Sequence, residues 1–563
     1  MPISLNPGFA LLLAAALALV TPRGLRPMLA VAAAALAGAL ALTPDFGAHD
    51  MFRQVGLTVV PLRLDAAAQI FGLAFAGAGI VLGLAMGHRR DAREDCALLA
   101  HLGGAMTAVF GGDLVTFAVG AEISILAAAA LVLCGRTPGA RSAAQRFVIL
   151  HALAGALFVV GVGLVWAQTS DVRFDRLDAT APAGLCMLLG CLIRVGAPFA
   201  HVWIKDAPPR AGVLGFAALA PVTTTLALYA LIRMFPGEPA LAPIGAAGLA
   251  FGLAQAAASA KPRTILAYAT MAQTGLLVMA LGVGAPLIMA GVSAAAFAGL
   301  FAALLAGLIV GWATREGAAS TEAPPIWRAA PATAALACAA IAAVLGLPGF
   351  ATFATGALLQ DAFARQAPDW MLAAYVAAGA GAVFGAGRAI MVAVFGKAGA
   401  RGAAPPFELV LATFLAAFFL VAIGIAPAWL FGLAPPSPIS FFPYDWDHIA
   451  ARLQLIAAAG LILALSALAP LARRLGSGGL RDVDWIYRRL GPSALAGISA
   501  ALRGGFSLWT SAAGQAGERL AAAAQSLGQR LDRQVPAGGR RAVQLTLLGA
   551  AGVVLVCALA ARG

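Results

Sequence analysis

The sequence predicts an all-α polytopic membrane protein of about sixteen spanning helices. Three observations carry that expectation. Of its 563 residues 61% are hydrophobic and only 11% are charged, and the mean hydropathy is +0.91; a soluble domain carries about 25% charged residues. Apolar runs long enough to cross a bilayer recur along the chain. Basic residues gather in alternate connections between those runs. A water-facing fold has no place for so much apolar surface, so the bilayer is the solvent.

Taken as apolar runs of about 20 residues, the spans are 8–21, 25–43, 66–86, 94–110, 113–134, 145–167, 182–203, 211–234, 241–259, 264–284, 286–312, 329–358, 370–396, 407–431, 450–472 and 542–561. No basic segment precedes the first run, and Arg23 and Arg26 follow it. That argues against a cleaved signal peptide and for entry with the N-terminus outside. Odd connections hold Arg23/Arg26, Arg89/Arg90/Arg93, Arg136/Arg141, Lys205/Arg210, Lys261/Arg263, Arg315/Arg328 and Lys397/Arg401. Even connections carry Asp45/Asp50, Asp171/Asp175/Asp178, Asp361/Asp369 and Asp445/Asp447. The positive-inside rule makes the odd connections cytoplasmic and places both termini outside. The expectation is a multi-pass protein of a bacterial-type inner (plasma) membrane. Its net charge of +13 lies in loops and does not imply nucleic acid as a partner.

The seventh span contains Gly196-Ala197-Pro198 and the twelfth Gly346-Leu347-Pro348-Gly349. Interruptions at corresponding places in two halves point to inverted repeats around a midplane ion site. The plain alternative is that glycine and proline are common in membrane helices. The chain then divides into three N-terminal helices (1–93), a first five-helix repeat (94–234), a second (241–396), the fourteenth and fifteenth spans (407–472), a basic cytoplasmic segment (473–541) and a last helix (542–563). Between Arg473 and Arg541 eleven arginines stand against Asp482, Asp484, Glu518 and Asp532. Residues 506–533 predict an amphipathic helix along the membrane surface or neighbouring subunits. The alternative is a basic linker, to which Gly504-Gly505 and Gly538-Gly539 lend weight.

Two charges fall inside apolar runs, Glu122 between Phe117 and Leu133 and Arg194 between Leu185 and Phe199. A charge at the bilayer centre costs at least ~2.5–3.5 kcal/mol, so such residues face a bundle interior and pair. An ion pair between the fifth and seventh helices is expected. Asp113 lies nine residues before Glu122, on a different helix face, and its default role is to cap the helix. His151 is placed either to relay protons or to pack against a carbonyl. Thr223, Thr224 and Thr225 either line a hydrated cavity or bond their own helix. Arg388 either meets a carbonyl or snorkels. The six cysteines form no Cys-x-x-Cys and no cluster with histidine, so no metal site is expected. There is no Walker loop, dinucleotide-binding turn, Ser/His/Asp set or redox-centre ligation. The chain should have no catalytic site and no cofactor of its own.

Asp113-Leu114 with Glu122, then Pro198-Phe199-Ala200-His201-Val202-Trp203-Ile204-Lys205-Asp206-Ala207, then Leu228-Tyr229-Ala230-Leu231-Ile232-Arg233, then Leu266-Ala267-Tyr268-Ala269-Thr270 with Gln273 and Gly275, stand in this order along the chain. Together they resemble the antiporter-like membrane subunits shared by respiratory complex I, membrane hydrogenases and multisubunit (Mrp-type) sodium/proton antiporters. Asp482-Val483-Asp484-Trp485-Ile486-Tyr487-Arg488-Arg489 is similar to an extension of D-type antiporter subunits. The resemblance covers about residues 65–430. It implies ion-path candidates at Glu122, Arg194, His201, Lys205, Asp206, Thr225, His151 and Asp113. It also implies other membrane subunits of one complex as partners, and protons, with sodium as a candidate, as cargo.

The departures qualify that implication. The family's seventh-helix lysine is Arg194 here, nine residues before Trp203. A guanidinium effectively never deprotonates, so it can hold Glu122 ionised without relaying a proton. The eighth-helix lysine of several relatives is Thr225. The eleventh span has no ionisable side chain, and the lysine or glutamate expected after the twelfth-span break is Gly356. The sequence therefore predicts a subunit of a cation/proton antiporter or complex I-like proton-translocating complex with a partly degenerate proton path. The alternative is a structural antiporter-like subunit that has lost its own translocation.

Overall fold

The computed structural model describes residues 5–468 apart from 55–56, 89–90, 316–325, 396–403 and 436–439, together with the isolated positions 522 and 526. The expected lateral helix at 506–533, the Asp482–Arg489 motif and the last helix at 542–561 lie outside the described residues.

Helices α1 (Gly8–Ala18), α2 (Arg26–Leu40), α3 (Ala66–Ala85), α4 (Ala92–Phe110), α5 (Leu114–Cys134) and α6 (Ala140–Thr169) each fall within a few residues of an expected span. The seventh span is split into α7 (Pro182–Val195) and the short α8 (Val202–Asp206), and α9 (Val213–Met234) follows. Next come α10 (Leu241–Ala258), α11 (Pro262–Leu281) and α12 (Pro286–Ala313), then a four-residue turn α13 (Ile326–Ala329). The twelfth span is split into α14 (Pro331–Leu345) and α15 (Ala351–Gln366). The thirteenth runs as α16 (Asp369–Ala382), a π-helical turn over Val383–Gly387 and α17 (Arg388–Val394). Helices α18 (Phe407–Ile425), α19 (Pro427–Gly432) and α20 (Trp446–Leu468) complete the described chain. Among the described residues nine spans, counting α16 through α17 as one, are long and apolar enough to cross a membrane, and shorter apolar helices such as α7 and α14 accompany them.

The two broken spans share one backbone device. Helix α7 ends with Gly196 in the left-handed region (φ 75°), and the Ala197 N–H reaches back to Leu192 O at 2.9 Å. Helix α14 ends with Gly346 (φ 64°), and the Leu347 N–H reaches Ala342 O at 2.9 Å. Both are Schellman stops: glycine takes a conformation that costs other residues about 1–2 kcal/mol, and the proline beyond cannot continue the helix. Three residues past each glycine the chain is left-handed again, at Phe199 (φ 69°) and Gly349 (φ 96°). The Gly-x-Pro spelling read from the sequence thus produces matched breaks.

Helices α9 and α12 form the spine between the halves. Every residue of α9 but Arg233 is buried, and α12 packs against α3, α9, α15 and α18. Around the spine α4 packs along α5, and α10 along α11. Small residues permit the second contact. A Cβ on Gly245 would come within 2.1 Å of Met279 N, and one on Gly275 within 2.4 Å of Leu249 N. Membrane helices associate through such close backbone approach, because lipid supplies no hydrophobic drive between them.

One feature was not expected. Between α2 and α3 four short strands, β1 (Gly47–His49), β2 (Phe52–Gln54), β3 (Leu57–Val59) and β4 (Leu62–Leu64), pair antiparallel as β1 with β4 and β2 with β3. Leu62 and Leu64 are buried while Arg63 between them points away to Asp65 and Asp175, the two-residue alternation of a strand. Three-residue strands are too short to be recognised in a chain dominated by helical runs.

Candidate functional site

Helix α5 starts at a capped Asp113 and carries Glu122 past its second turn; α7 ends one residue after Arg194. Arg194 Nη2 donates to Glu122 Oε1, which is the expected ion pair between these helices. A cation in the last turn of α7 is also favoured by the carbonyl end of that helix. The carboxylate lies across Gly155 of α6, where a Cβ would come within 2.4 Å of Oε1. The pair is lopsided. The Arg194 side chain is 7% exposed and the Glu122 side chain 37%, so the carboxylate opens laterally while the guanidinium faces inward. The lateral flank beside it is apolar, with Val119, Leu126, Leu153 and Val159 exposed.

Arg194 Nε and Nη1 are buried without a hydrogen-bond partner among the described residues, as is Thr223 Oγ1. Arg194, Thr223 and Ser124 line one cavity of about 10 Å³, walled by Phe117, Phe158 and Cys191. That is room for about one water, which needs polar partners of this kind. On its far side Ser124 meets the buried His101 of α4, whose Nδ1 lies 2.8 Å from Ser124 Oγ and 2.9 Å from Ser124 O. His101 was not among the sequence candidates. The only signal was an imidazole within an apolar helix, and nothing in the sequence showed that it faces the serine two residues from Glu122.

The remaining candidates separate. Asp113 is fully buried and accepts from the N–H groups of Val60, Val115 and Thr116 and from Thr116 Oγ1. It caps α5 and ties it to the chain leaving β3, away from the ion pair. Asp206 is clamped between Arg146 and Arg210 at 2.6 and 2.5 Å, at the other end of the bundle. Lys205 lies beside it on α8 and is half-buried. His151 bonds its own helix through Nδ1 to Phe147 O at 2.9 Å, and its ring packs between Phe147 and Trp203. His201 is buried in the turn before α8, its ring centroid 4.7 Å from that of Phe251 on α10, so it sits where the two halves meet. Thr225 lines a cavity of about 20 Å³ with Thr224, Thr270, Gln273 and Thr274, between α9, α11 and α12. Thr224 bonds its own helix at Ala220 O, and Arg388 meets the carbonyls of Ala256, Ala257 and Ser259 at the end of α10.

The second half corrects one expectation. Helices α12 and α14 carry no acidic or basic side chain, as read from the sequence. Yet Arg452 reaches in from α20, outside both repeats, and donates through Nε to Gly346 O at 3.2 Å beside the second break. Gly356, the position of the missing charge, lines the same cavity as Arg452.

A family model described as NADH:quinone oxidoreductase/Mrp antiporter, transmembrane, matches residues 111–381, from the start of α5 into α16. Over this segment the chain is similar to the antiporter-like membrane subunits. Curated relatives of this antiporter-like segment include NADH-quinone oxidoreductase subunit N of Desulforudis audaxviator, 32% identical over 203 residues, covering 32% of this chain and 40% of the relative. The subunit N of Rhodopseudomonas palustris is 31% identical over 235 residues, covering 39% of this chain and 50% of the relative. The chain thus spans half or less of the length of these relatives. Among solved structures, a chain of the Mrp complex from a Dietzia species superposes with a TM-score of 0.72 at 19% identity, covering 89% of this chain and 62% of that one. A chain of respiratory complex I from Thermus thermophilus gives 0.64 at 22% identity, covering 77% and 99%. At these identities the structural likeness shows the antiporter-like fold.

Proposed function

We propose that this antiporter-like subunit works within a multisubunit membrane assembly of the complex I or Mrp antiporter kind, and that its first-half site is an electrostatic element with a degenerate proton path. The observation that carries the reading is the Arg194–Glu122 pair. A lysine at such a place can release its proton when desolvated, because burial lowers its pKa, whereas arginine stays charged. Arg194 therefore gives Glu122 a fixed positive partner and sets the field around it without handing a proton on. The exposed carboxylate and the apolar flank of α5 and α6 support a neighbouring membrane subunit on that side. The same alternation of charged connections supports a bacterial-type inner membrane with both termini outside, and protons, with sodium as a candidate, as the ions concerned.

Reconstituted assemblies assayed for ion flux test this. We expect the native subunit to conduct weakly, Arg194→Lys to raise flux partially, and Glu122→Gln to abolish what there is. A native subunit that pumps fully and is silenced by Arg194→Lys would make arginine a working part of the path and end this reading. The structural-subunit reading is favoured by the lack of acidic or basic groups on α12 and α14; it expects no flux change from either variant.

A further inference from the structure

The breaks in the two halves carry the same kind of cation but not the same counter-charge. Arg194 occupies the last turn of α7 and has Glu122. Arg452 bonds the C-cap carbonyl of α14, and among the described residues no carboxylate lies within 4.0 Å of it. What it faces instead is a cavity of about 150 Å³, bordered by Thr270, Gln273, Thr352, Thr355, Tyr375 and Arg452. The guanidinium is fitted to its place. A Cβ on Gly346 would come within 2.5 Å of Nη2, and one on Gly379 within 2.8 Å of Nη1. Glycine in the interior of α16 costs roughly 0.5–1 kcal/mol relative to alanine, and here it leaves room for Arg452.

Among the described residues the one charged group lining this cavity, Arg452, is a donor. Thr352 Oγ1 donates to Ala343 O, Thr355 Oγ1 to Ala351 O, and Tyr375 OH to Gly356 O, so the hydroxyl protons are committed. Arg452 Nη1 and Nη2 and the Gln273 amide make no hydrogen bond among the described residues, which leaves N–H groups directed at no protein acceptor. Thr352 and Thr355 belong to the first turns of the sixteen-residue α15, whose N-terminal end is the positive pole of its dipole. Two features of one sign, a guanidinium and a helix N-terminus, meet on one space beside the neutral Gln273 amide.

We propose that this second-half cavity binds a small monovalent inorganic anion, held by Arg452 and Gln273, in the place that Glu122 fills for Arg194. One charge is specified because Arg452 is the single charged group among the described residues lining the cavity and compensates one charge, leaving a second unpaired. The space is several-fold what one water needs, so the anion enters with part of its hydration. The site does not depend on whether the subunit conducts protons.

Thermal unfolding of the purified full chain, titrated with sodium chloride or nitrate against gluconate at fixed ionic strength, tests the proposal. Chloride and nitrate should stabilise the native protein saturably, and gluconate, bulkier and more strongly hydrated, should not. Arg452→Gln should weaken the apparent affinity by at least about tenfold. Gln273→Leu should weaken it less, and supplies a second readout if Arg452→Gln does not fold. Native protein without an anion-specific, saturable shift overturns the proposal. So does a shift of equal midpoint in native protein and either variant, which would be a bulk salt effect.

Discussion

Asp113 accepts from four donors, while Glu122, nine residues along the same helix, accepts from Arg194. Burial and partners both tell these carboxylates apart: Asp113 is fully buried, whereas the Glu122 side chain is 37% exposed. Removing Asp113 strips the α5 cap and leaves the Val60 N–H without an acceptor. Asp113→Ala should therefore cost roughly 2–4 kcal/mol in unfolding experiments, with flux per folded subunit unchanged. Glu122→Gln keeps an acceptor for Arg194 but removes the charge, and should cost roughly 1–3 kcal/mol. A large flux defect in Asp113→Ala at normal folded yield would move that residue back into the ion path.

At the scale of the element, the breaks at Gly196 and Gly346 determine where Arg194 and Arg452 stand, because each arginine works at the carbonyl end of a half-helix. Gly196→Ala forces a Cβ into the left-handed region and within 2.2 Å of Ile204 Cδ1. We expect about 1–3 kcal/mol of destabilisation, read as a lowered melting temperature in detergent. Pro198→Ala should leave the break in place, since the Schellman hydrogen bonds do not involve Pro198; a continuous α7–α8 helix in a structure of that variant would show otherwise. The β-ribbon region bears on a third element. Asp65 caps α3 through Ala68 N and is bound by Arg233 and Arg63. Burial pushes its carboxyl up, but Arg233, the Ala68 N–H and Arg63 together hold it below the usual 3.8. A depressed carboxylate contributes stability that is present above its unfolded pKa and is lost as pH falls through the folded value. Asp65→Asn should thus destabilise at neutral pH, and its difference from the native protein should vanish only in acid below about 3.8.

Across the whole molecule, acid–base clamps fix both ends of the first half. Arg63, Asp65, Asp175 and Arg233 join the strand region to the end of α9, and Arg146, Asp206 and Arg210 join α6 to α8. The charge alternation predicts the first group outside and the second in the cytoplasm. Single cysteines at exposed Asp175 and Arg141, labelled with an impermeant reagent in right-side-out vesicles, should react at 175 and not at 141. The reverse pattern would invert the topology.

Among the described residues helix placement was legible because hydropathy is a local property: a run of about 20 apolar residues has few alternatives to a membrane helix. The breaks were legible for a related reason, since Gly-x-Pro fixes the backbone over a few residues whatever packs around it. The Glu122–Arg194 pair could be read too, because two isolated charges in apolar runs leave each other as the obvious partner. The other contacts depend on how helices cross. His101 meets Ser124 across 23 residues, Arg452 meets Gly346 across 106, and Asp65 meets Arg233 across 168. Each of these residues has several sterically acceptable partners in the sequence, and only the crossing of α4 with α5, of α20 with α16, and of α3 with α9 selects among them. Arg452 is the clearest case. In the sequence it is one arginine near the start of a fifteenth helix; in the fold it is the cation at the second break, because a glycine on α16 and a glycine at the end of α14 open the space that its guanidinium fills.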